Sequence, residues 1–285
     1  MQRVDEIIEK KLAFLRDNNV DTSIFELKVL MAEVLGIEVG SLRFYDEELS
    51  DDQYEKFLSY VEMRKNFMPV DKIIGKKCFY KLDFNVNEDV LSPRYDTEIL
   101  IDEILSVFNA DANIDILEFG TGSGCIIISL LDELKNAKGW GVELSKKAFD
   151  TTNNNAEKNK VSDRLTMINN SWFEELDALK SKKFDLIVSN PPYIPGADIC
   201  NLDKEVRLFD PLLALDGGDD GLRDYIKISS LAKQMLKKDG YLVFEVGFNQ
   251  ADDVVDIGEK NGLQFVKTAK DYNGINRCVI LKKTV

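Results

Sequence analysis

Apolar residues recur at helical spacing through the first 75 residues of the chain. In Val4–Leu15 they fall every three or four positions, which is typical of one buried helix face. A second helix is predicted to follow the capping residues at 21–23 and to end at Gly36, and a third to follow Ser50. No strand pattern occurs before about Cys78, so this part is predicted to be a helical domain.

From there the pattern changes to short β-rich segments. Cys78–Leu82 and Phe84–Val90, separated by a polar break at Asp83, are predicted to form a hairpin. Seven further strands then alternate with helices such as Lys146–Asn159 and Tyr225–Lys238. The predicted strands are Ile114–Phe119, Gly139–Glu143, Arg164–Asn169, Phe184–Ser189, Tyr241–Val246, Leu263–Thr268 and Arg277–Leu281. This alternation predicts an α/β fold with a mostly parallel sheet covered on both faces.

Composition narrows the possible functions. The 285 residues, 44% of them hydrophobic, favour two domains with a sizeable core. With 37 basic and 51 acidic residues the net charge is −14, which disfavours duplex nucleic acid or an anionic membrane as a partner. The chain has no histidine, so Ser–His and Cys–His nucleophiles and the commonest zinc ligand are excluded.

The cysteines and the N-terminal segment bear on location. The four cysteines form no CxxC pair, so neither a metal site nor a redox dithiol is predicted, and single cysteines fit a reducing cytosol. The charged N-terminal stretch lacks the apolar segment of a signal peptide. No apolar run approaches the roughly 18 residues of a membrane span. We therefore expect a cytoplasmic protein without a metal.

A glycine-rich loop follows the first strand of the predicted sheet. Gly120, Gly122 and Gly124 come directly after Ile114–Phe119, and an apolar helix follows them. Glycines let the backbone approach a ligand closely, and a helix N-terminus presents free N–H groups. Glu143 ends the next strand, where an acidic residue suits hydrogen bonds from two ribose hydroxyls. Together these features predict a nucleotide-like cofactor; the alternative is a tight structural turn with a solvated Glu143.

A second motif lies just beyond the strand Phe184–Ser189. In open α/β sheets ligands bind outside the carboxyl ends of the strands, which is where Asn190, Pro191, Pro192 and Tyr193 are predicted to lie. The Asn190 side-chain oxygen and the Pro191 carbonyl can accept both N–H bonds of a planar amide or amine, and Tyr193 offers an aromatic face. Such a nitrogen needs positioning towards an electrophile, here a sulfonium methyl held by the glycine loop. The alternative is a rigid turn.

These residues resemble the class I S-adenosylmethionine-dependent amino-methyltransferases. Within that class the chain is similar to the protein-glutamine N5-methyltransferases, the PrmC/HemK group, which modify the glutamine of the GGQ motif in peptide chain release factors. The similarity extends over nearly all of the chain from about Pro69. It is carried by Val90-Leu91-Ser92-Pro93-Arg94-Tyr95-Asp96-Thr97-Glu98, by FDLIVSNPPYIP at 184–195, and by residues 210–222, 244–250 and 271–277.

The resemblance implies a domain organisation and a reaction. It implies a Rossmann-like methyltransferase domain at 93–285, a smaller N-terminal helical-bundle domain for substrate recognition at 1–76, and a β-hairpin connector at 77–92. It also implies S-adenosyl-L-methionine as cofactor, with S-adenosyl-L-homocysteine as product. The expected partners are release factors, and no direct binding of nucleic acid is expected.

The resemblance also implies roles for individual residues. Asn190, Pro191, Pro192 and Tyr193 would hold the glutamine amide and form the catalytic loop. The implied cofactor-binding residues are Glu118, Gly120, Thr121, Gly122, Gly124, Glu143, Asn170, Ser171, Trp172 and Asn190. Arg94, Asp96, Thr97 and Glu98 are expected to shape the cofactor pocket.

Three positions depart from the group's pattern. Glu118 stands where the group usually has Asp, and Tyr95 replaces a proline. The acidic residue that often precedes Trp-Phe near the adenine is replaced by Asn170 and Ser171, so one of these two is expected to contact the adenine.

Other functions stay open at this point. A dinucleotide dehydrogenase shares the strand–glycine–acid layout, but the GxGxG spacing and NPPY disfavour it. A DNA adenine methyltransferase uses a similar loop on a flipped base, and the negative charge disfavours it. The substrate could also be a ribosomal protein glutamine, or the chain could be a non-catalytic scaffold. The acidic surface could steer a basic release factor towards the enzyme, or simply keep the protein soluble.

Overall fold

The computed structural model describes residues 3–271 and 273–285. Residues 1 and 2 of the predicted first domain, and Tyr272 of the resembling segment 271–277, lie outside the described residues. The chain forms two compact units. The smaller comprises the residues up to Lys76 together with Asp203–Phe209, and the larger comprises Lys77–Leu202 and Asp210–Val285.

The helices and strands follow one another along the chain in this order. The helices are α1 (Val4–Asp17), α2 (Ile24–Leu35), α3 (Asp51–Lys65), α4 (Val70–Ile74), α5 (Glu98–Val107), α6 (Cys125–Glu133), α7 (Lys146–Lys158), α8 (Lys204–Phe209), α9 (Arg223–Met235) and α10 (Ala251–Lys260). The strands are β1 (Lys76–Phe79), β2 (Leu82–Asn85), β3 (Asp115–Phe119), β4 (Lys138–Glu143), β5 (Leu165–Asn169), β6 (Phe184–Ser189), β7 (Leu236–Glu245), β8 (Gln264–Lys270) and β9 (Asn276–Lys282). No helix in the described part of the chain is both long and apolar enough to span a membrane.

The smaller unit contains the three predicted helices. Ser23 and Ser50 each form a capping box at the start of α2 and α3, which satisfies backbone N–H groups that the first helical turn leaves free. Gly36 ends α2 in the left-handed conformation at φ 67°. The buried apolar faces of α1, α2 and α3 form one core, so the helical prediction is confirmed.

A buried arginine explains why α8 belongs to the smaller unit. Arg64 of α3 is 1% exposed, and its Nη2 donates to the carbonyl of Asp21 at 2.8 Å and to Glu205 Oε1 at 2.5 Å. The Nζ of Lys72 donates to the carbonyl of Phe209. Residues 203–209 were predicted to belong to the domain 93–285. The bonds from Arg64 to Glu205 and from Lys72 to Phe209 join residues 141 and 137 positions apart, so no local sequence pattern indicates them. The boundaries 1–76, 77–92 and 93–285 stay a prediction.

The hairpin is confirmed, but its predicted turn is wrong. Asp83 lies inside β2, and the turn falls at Tyr80, which adopts φ 56°. Its backbone N–H donates to Glu98 Oε1 at 2.7 Å, so a residue of α5 stabilises a turn that contains no glycine. The second strand ends at Asn85, not Val90, because the backbone N–H and carbonyl of Asn85 pair with the side chain of Asn155.

The larger unit is built on a seven-stranded sheet with the order β5-β4-β3-β6-β7-β9-β8. The first five of these strands are mutually parallel, and β9 runs antiparallel to β7 and β8. One apolar core contains residues of α5, α6 and α7, and another contains residues of α9 and α10. The seven strands and the α/β class are therefore confirmed.

The largest error in a sheet strand concerns β7. It begins at Leu236 rather than Tyr241, and the preceding helix, predicted as Tyr225–Lys238, ends at Met235. Leu236 pairs with Phe184 of β6, and its side chain is buried. Helical spacing continues past Met235 in the sequence, but burial in the sheet decides the conformation.

The strand order creates a crevice between β3 and β6. From β3 the chain proceeds outward through β4 and β5, and it then returns to β6 on the other side of β3. Ligands of open α/β sheets bind at such a reversal, outside the carboxyl ends of the strands. Phe119 and Ser189, the last residues of the two strands, are register partners, and Ser189 Oγ donates to the Phe119 carbonyl at 2.7 Å.

Candidate active site

A cavity of about 470 Å³ lies at the carboxyl ends of these strands, within the larger unit. Both predicted motifs contribute to its wall. The predicted residues that line it are Arg94, Thr97, Glu118, Gly120, Thr121, Gly122, Glu143, Ser171, Trp172, Asn190 and Pro192. The structure thus brings the glycine loop after β3 and the loop after β6 to one cavity.

The glycine loop depends on backbone conformations that other residues rarely adopt. Gly120, Gly122 and Gly124 have φ angles of 76°, 55° and 82°. Thr152 of α7 braces the loop, because its hydroxyl donates to the Gly122 carbonyl at 2.9 Å. Gly124 does not line the cavity: a Cβ there would lie 2.7 Å from Ile128 Cδ1, so this glycine permits close packing.

Glu143 joins the end of β4 to the glycine loop. Its Oε2 accepts from the Gly122 N–H and its Oε1 from the Ser145 N–H, both at 2.9 Å. Burial raises the pKa of this carboxyl, while the backbone N–H groups of Gly122, Ser145 and Leu144 oppose the shift. Each oxygen keeps a further lone pair, so the carboxylate can still accept from hydroxyls of a ligand.

Glu118 is the second buried carboxyl of the cavity. Only 1% of it is exposed, and its Oε2 accepts from the backbone N–H of Ile127 in α6 at 3.1 Å. Burial raises its pKa well above the usual value, and the nearby Glu143 adds to the shift. A ligand group carrying positive charge would favour its ionised form.

The loop after β5 contributes Ser171 and Trp172 to the cavity. The Trp172 ring packs against Gly120, and its indole N–H donates to Asp224 Oδ1 at 2.8 Å. Asn170 does not line the cavity: its amide nitrogen donates to the Glu175 carbonyl, and its oxygen accepts from the Ser171 N–H. Of the two candidates for adenine contact, only Ser171 reaches the cavity wall.

In the NPPY loop, Asn190 and Pro192 line the cavity, while Pro191 is buried and Tyr193 half-buried outside the lining. Gln250 holds the Tyr193 carbonyl with a hydrogen bond of 2.9 Å. The loop also packs against Gly221, where a Cβ would lie 2.3 Å from the Tyr193 carbonyl oxygen. Burial raises the pKa of the Tyr193 hydroxyl, so it stays protonated at neutral pH.

The four residues predicted to shape the cavity separate into two pairs. Arg94 and Thr97 line it, and Arg94 Nη2 donates to Asp210 Oδ2 at 2.7 Å. Asp96 and Glu98 do not line it. Glu98 instead holds the hairpin turn, and Asp96 Oδ2 lies 3.7 Å from Arg277 Nη2.

Sequence reasoning missed several cavity residues. They include Asp89, Leu144, Phe173, Leu213, Arg223 and Asp224. Leu144 and Phe173 each follow a predicted site residue, so proximity to Glu143 and Trp172 could have indicated them. Asp224 carried no local signal, because its hydrogen bond to Trp172 joins residues 52 positions apart.

Glu245, at the end of β7, was not predicted as a site residue either. It is 3% exposed and accepts a hydrogen bond from Thr97 Oγ1 at 2.5 Å. It directly follows Phe244, the register partner of Ser189, so Glu245 and Asn190 lie side by side at the ends of β7 and β6. Within the described residues, no group of three or more Cys, Asp or Glu side chains could hold a metal ion.

Comparison with known proteins agrees with this geometry. Residues 6–75 match a family profile described as the PrmC N-terminal domain, and residues 96–206 match the Methyltransferase small domain. A crystal structure of a methyltransferase from Pyrococcus furiosus has a TM-score of 0.50 and 19% identity, over 69% of this chain and 89% of that chain. That similarity concerns the fold alone.

Two curated relatives are similar over nearly the whole chain. A release factor glutamine methyltransferase of Fusobacterium nucleatum is 35% identical, over 98% of this chain and 79% of the relative. One of Geobacter sulfurreducens is 36% identical, over 97% of this chain and 95% of the relative. These relatives confirm the predicted family: the chain belongs to the release factor glutamine methyltransferases.

Proposed function

We propose that this protein transfers a methyl group from S-adenosyl-L-methionine to the side-chain amide nitrogen, N5, of the glutamine in the GGQ motif of peptide chain release factors. One observation carries the proposal: the glycine loop and Asn190 line the same cavity at adjacent strand ends. The two curated relatives are named for the glutamine of release factors, which supports the substrate.

The cavity residues fit S-adenosyl-L-methionine. The open lone pairs of Glu143 suit the ribose hydroxyls, and the glycine loop leaves its backbone accessible to the ligand. The buried carboxyl of Glu118 suits the ammonium group of the methionine end. Ser171 and the apolar surfaces of Leu144 and Phe173 would hold the adenine.

The NPPY loop would orient the methyl acceptor. S-adenosyl-L-methionine supplies an electrophilic methyl group and leaves as S-adenosyl-L-homocysteine. The Asn190 side-chain oxygen and the Pro191 carbonyl would accept the two N–H bonds of the glutamine amide, with Tyr193 packed nearby. Correct orientation of two reactants can contribute about 7–11 kcal/mol to lowering a barrier. The amide nitrogen becomes acidic on methylation, so its proton can leave afterwards without a titrating base.

The helical unit would bind the body of the release factor. Its match to the PrmC N-terminal domain supports a family-specific role, and the large aromatic side chains that it exposes include Phe25 and Phe44. We place the protein in the cytoplasm, where its substrate acts. The four cysteines, all free of disulfides, are compatible with that compartment.

The direct test mixes the purified protein with S-adenosyl-L-methionine and a release factor from the same cell. We expect one added methyl by intact mass, on the GGQ glutamine by peptide mapping, and its absence with Asn190→Ala. No methylation with cofactor binding intact would refute the release factor as substrate, and a ribosomal protein would be tested next. No cofactor binding would refute the assignment of the glycine loop.

A further inference from the structure

The proposed reaction requires one particular orientation of the Asn190 side chain. The two ends of an amide are nearly equal in size but opposite in hydrogen bonding: the oxygen accepts and the NH₂ donates. Only the oxygen can accept an N–H of a glutamine amide. The orientation follows from whatever group contacts the NH₂ end, because neighbouring hydrogen bonds determine which way an amide points.

Glu245 is the group that lies beside Asn190. Glu245 is 3% exposed and directly follows Phe244, just as Asn190 directly follows Ser189, and Phe244 and Ser189 are register partners in β7 and β6. The two side chains therefore leave neighbouring strand ends, and the Asn190 amide favours the ionised Glu245 carboxyl. An ionised carboxylate can only accept. The NH₂ end of Asn190 must then face Glu245, and the oxygen turns away from it.

Glu245 is itself held by several elements of the sheet domain. Thr97, ahead of α5, donates its hydroxyl to Glu245 Oε2 at 2.5 Å. The hydroxyl of Tyr225 in α9 donates to the Glu245 carbonyl at 3.0 Å. Glu245 is also the register partner of Cys278 in β9. The backbone of Glu245 is thus held by α9 and β9, and its carboxyl by Thr97. A carboxyl placed in this way can determine the orientation of a neighbouring side chain.

We propose that Glu245, ionised and held by Thr97, is a positioning residue that keeps the Asn190 amide oxygen directed at the methyl acceptor. The inference rests on the proposed function, because it concerns the amide that would bind the glutamine. Protonated Glu245 could donate to the Asn190 oxygen instead. That would turn the Asn190 NH₂ towards the substrate, where two N–H groups would face each other.

The carboxyl of Glu245 changes its protonation state near neutral pH. Burial raises its pKa to about 7, while Thr97, Arg277 and the Asn190 amide favour the carboxylate, and the charge of Asp96 opposes it. Among the described residues, the titratable and charged groups that interact with it are Asp96, Arg277, Tyr193, Tyr225, Cys125 and Cys278. The chain has no histidine that would titrate in the same range.

The main test is the pH dependence of kcat/KM for the release factor at saturating S-adenosyl-L-methionine, which reports ionisations of the enzyme–cofactor complex. Saturation with the cofactor separates the titration of Glu245 from that of Glu118 and Glu143, the two buried carboxyls on the cofactor side. For the wild type we expect a fall of about tenfold per pH unit below about pH 7, since one proton inactivates the site. Glu245→Gln cannot titrate, so its profile should be flat between about pH 6 and 9. Glu103→Gln is the matched control: Glu103 pairs with Lys267 outside the cavity, and the wild-type fall should persist.

Thr97 variants separate positioning from a merely structural role. Thr97→Val keeps the shape but removes the hydroxyl that favours the carboxylate, so the fall in kcat/KM should move to higher pH. Thr97→Ser keeps the hydroxyl and should leave the profile in place. These two variants also carry the test if Glu245→Gln fails to fold, which thermal melting would reveal.

A measurement that needs no enzymatic reaction tests the orientation of Asn190 independently of the substrate. In NMR spectra, the Asn190 side-chain amide resonances should titrate with pH in the wild type and not in Glu245→Gln. A fall that persists in Glu245→Gln, a flat wild-type profile, or no shift with Thr97→Val would overturn the proposal. Failure of the proposed function would look different: no release factor methylation at any pH, with the Asn190 titration still present.

Discussion

The two loops that meet at the cavity are stabilised in different ways. The glycine loop after β3 is held by hydrogen bonds with the next strand along the chain and the helix after that strand: Glu143 accepts from the Gly122 N–H across 21 positions, and Thr152 donates to the Gly122 carbonyl across 30. The NPPY loop after β6 is held from a distance, because Gln250 reaches Tyr193 across 57 positions. The cofactor side is therefore stabilised by elements that follow it closely in the chain, whereas the acceptor side is stabilised by residues farther away in the sequence.

The two loops also owe their shapes to different features of the backbone. The glycine loop owes its shape to positive φ angles that glycine adopts readily. The NPPY loop needs no positive φ; its rigidity comes from prolines and from side chains of β7 and the residues after it. We therefore expect substitutions in the glycine loop to change stability or cofactor affinity, and substitutions in the NPPY loop to change turnover.

The largest effect is expected on the acceptor side. Asn190→Ala removes the proposed acceptor for the glutamine N–H, and kcat should fall by about 10²–10³-fold. The Kd for S-adenosyl-L-methionine should rise by about tenfold at most, as for one lost hydrogen bond. Turnover by mass spectrometry and calorimetric binding test this. Asn153→Ala is the control, since the Asn153 side chain donates to the Phe149 carbonyl within α7. A kcat unaffected by Asn190→Ala would contradict the distinction.

A matched pair of glycines tests the packing of the cofactor loop. Gly124 and Gly262 have nearly equal φ angles of 82° and 81°, but only at Gly124 would a Cβ meet neighbours. Gly262→Ala should cost about 1 kcal/mol of unfolding free energy from backbone strain alone. Gly124→Ala should cost about 3 kcal/mol, because overpacking adds to that strain. Urea denaturation measures both, and equal losses would show that packing at Gly124 contributes little.

Glu143→Gln tests whether the cofactor side acts through affinity. The variant keeps one acceptor oxygen and replaces the other with a donor that faces a backbone N–H. The Kd for S-adenosyl-L-methionine should rise by about 10–50-fold, with little change of kcat at saturation. Titration calorimetry measures the affinity, and Glu133→Gln, which alters a carboxyl paired with Lys81, is the control. A loss confined to kcat would argue against the proposed ribose contact.

The smallest expected effect concerns the surface. A net charge of −14 would steer a basic release factor, so kcat/KM for that substrate should fall by about 2–5-fold when salt rises from about 50 to 300 mM. The cofactor affinity should change less, because the site is mostly buried. A kcat/KM that does not depend on salt would show that the negative charge does not steer the substrate and serves solubility alone.

Much of the fold followed from periodicity, and the exceptions have physical causes. The seven sheet strands and the three N-terminal helices were predictable because burial imposes a regular apolar pattern. The turn at Tyr80 was not, because Glu98 of α5 stabilises it. The start of β7 at Leu236 was not, because pairing with Phe184 overrides a helical pattern.

The site was predictable where its motifs are continuous in sequence. Glu118, Glu143 and Asn190 were named from the sequence, and all three line the cavity. Asn170 was expected to be a candidate for the adenine, but its side chain bonds to its own loop. Asp224 was missed, since only its bond to Trp172 reveals its place.

The sequence by itself determined the glycine loop, the acid at the end of β4 and the rigid NPPY turn, because their conformations depend on residue types and short spacings. Tertiary structure alone decided which carboxyl lies beside Asn190, which helix Arg64 binds in the smaller unit, and which residues meet at the cavity. Hydrogen bonds between residues far apart in the chain form only when packing brings them together, and no local pattern encodes them.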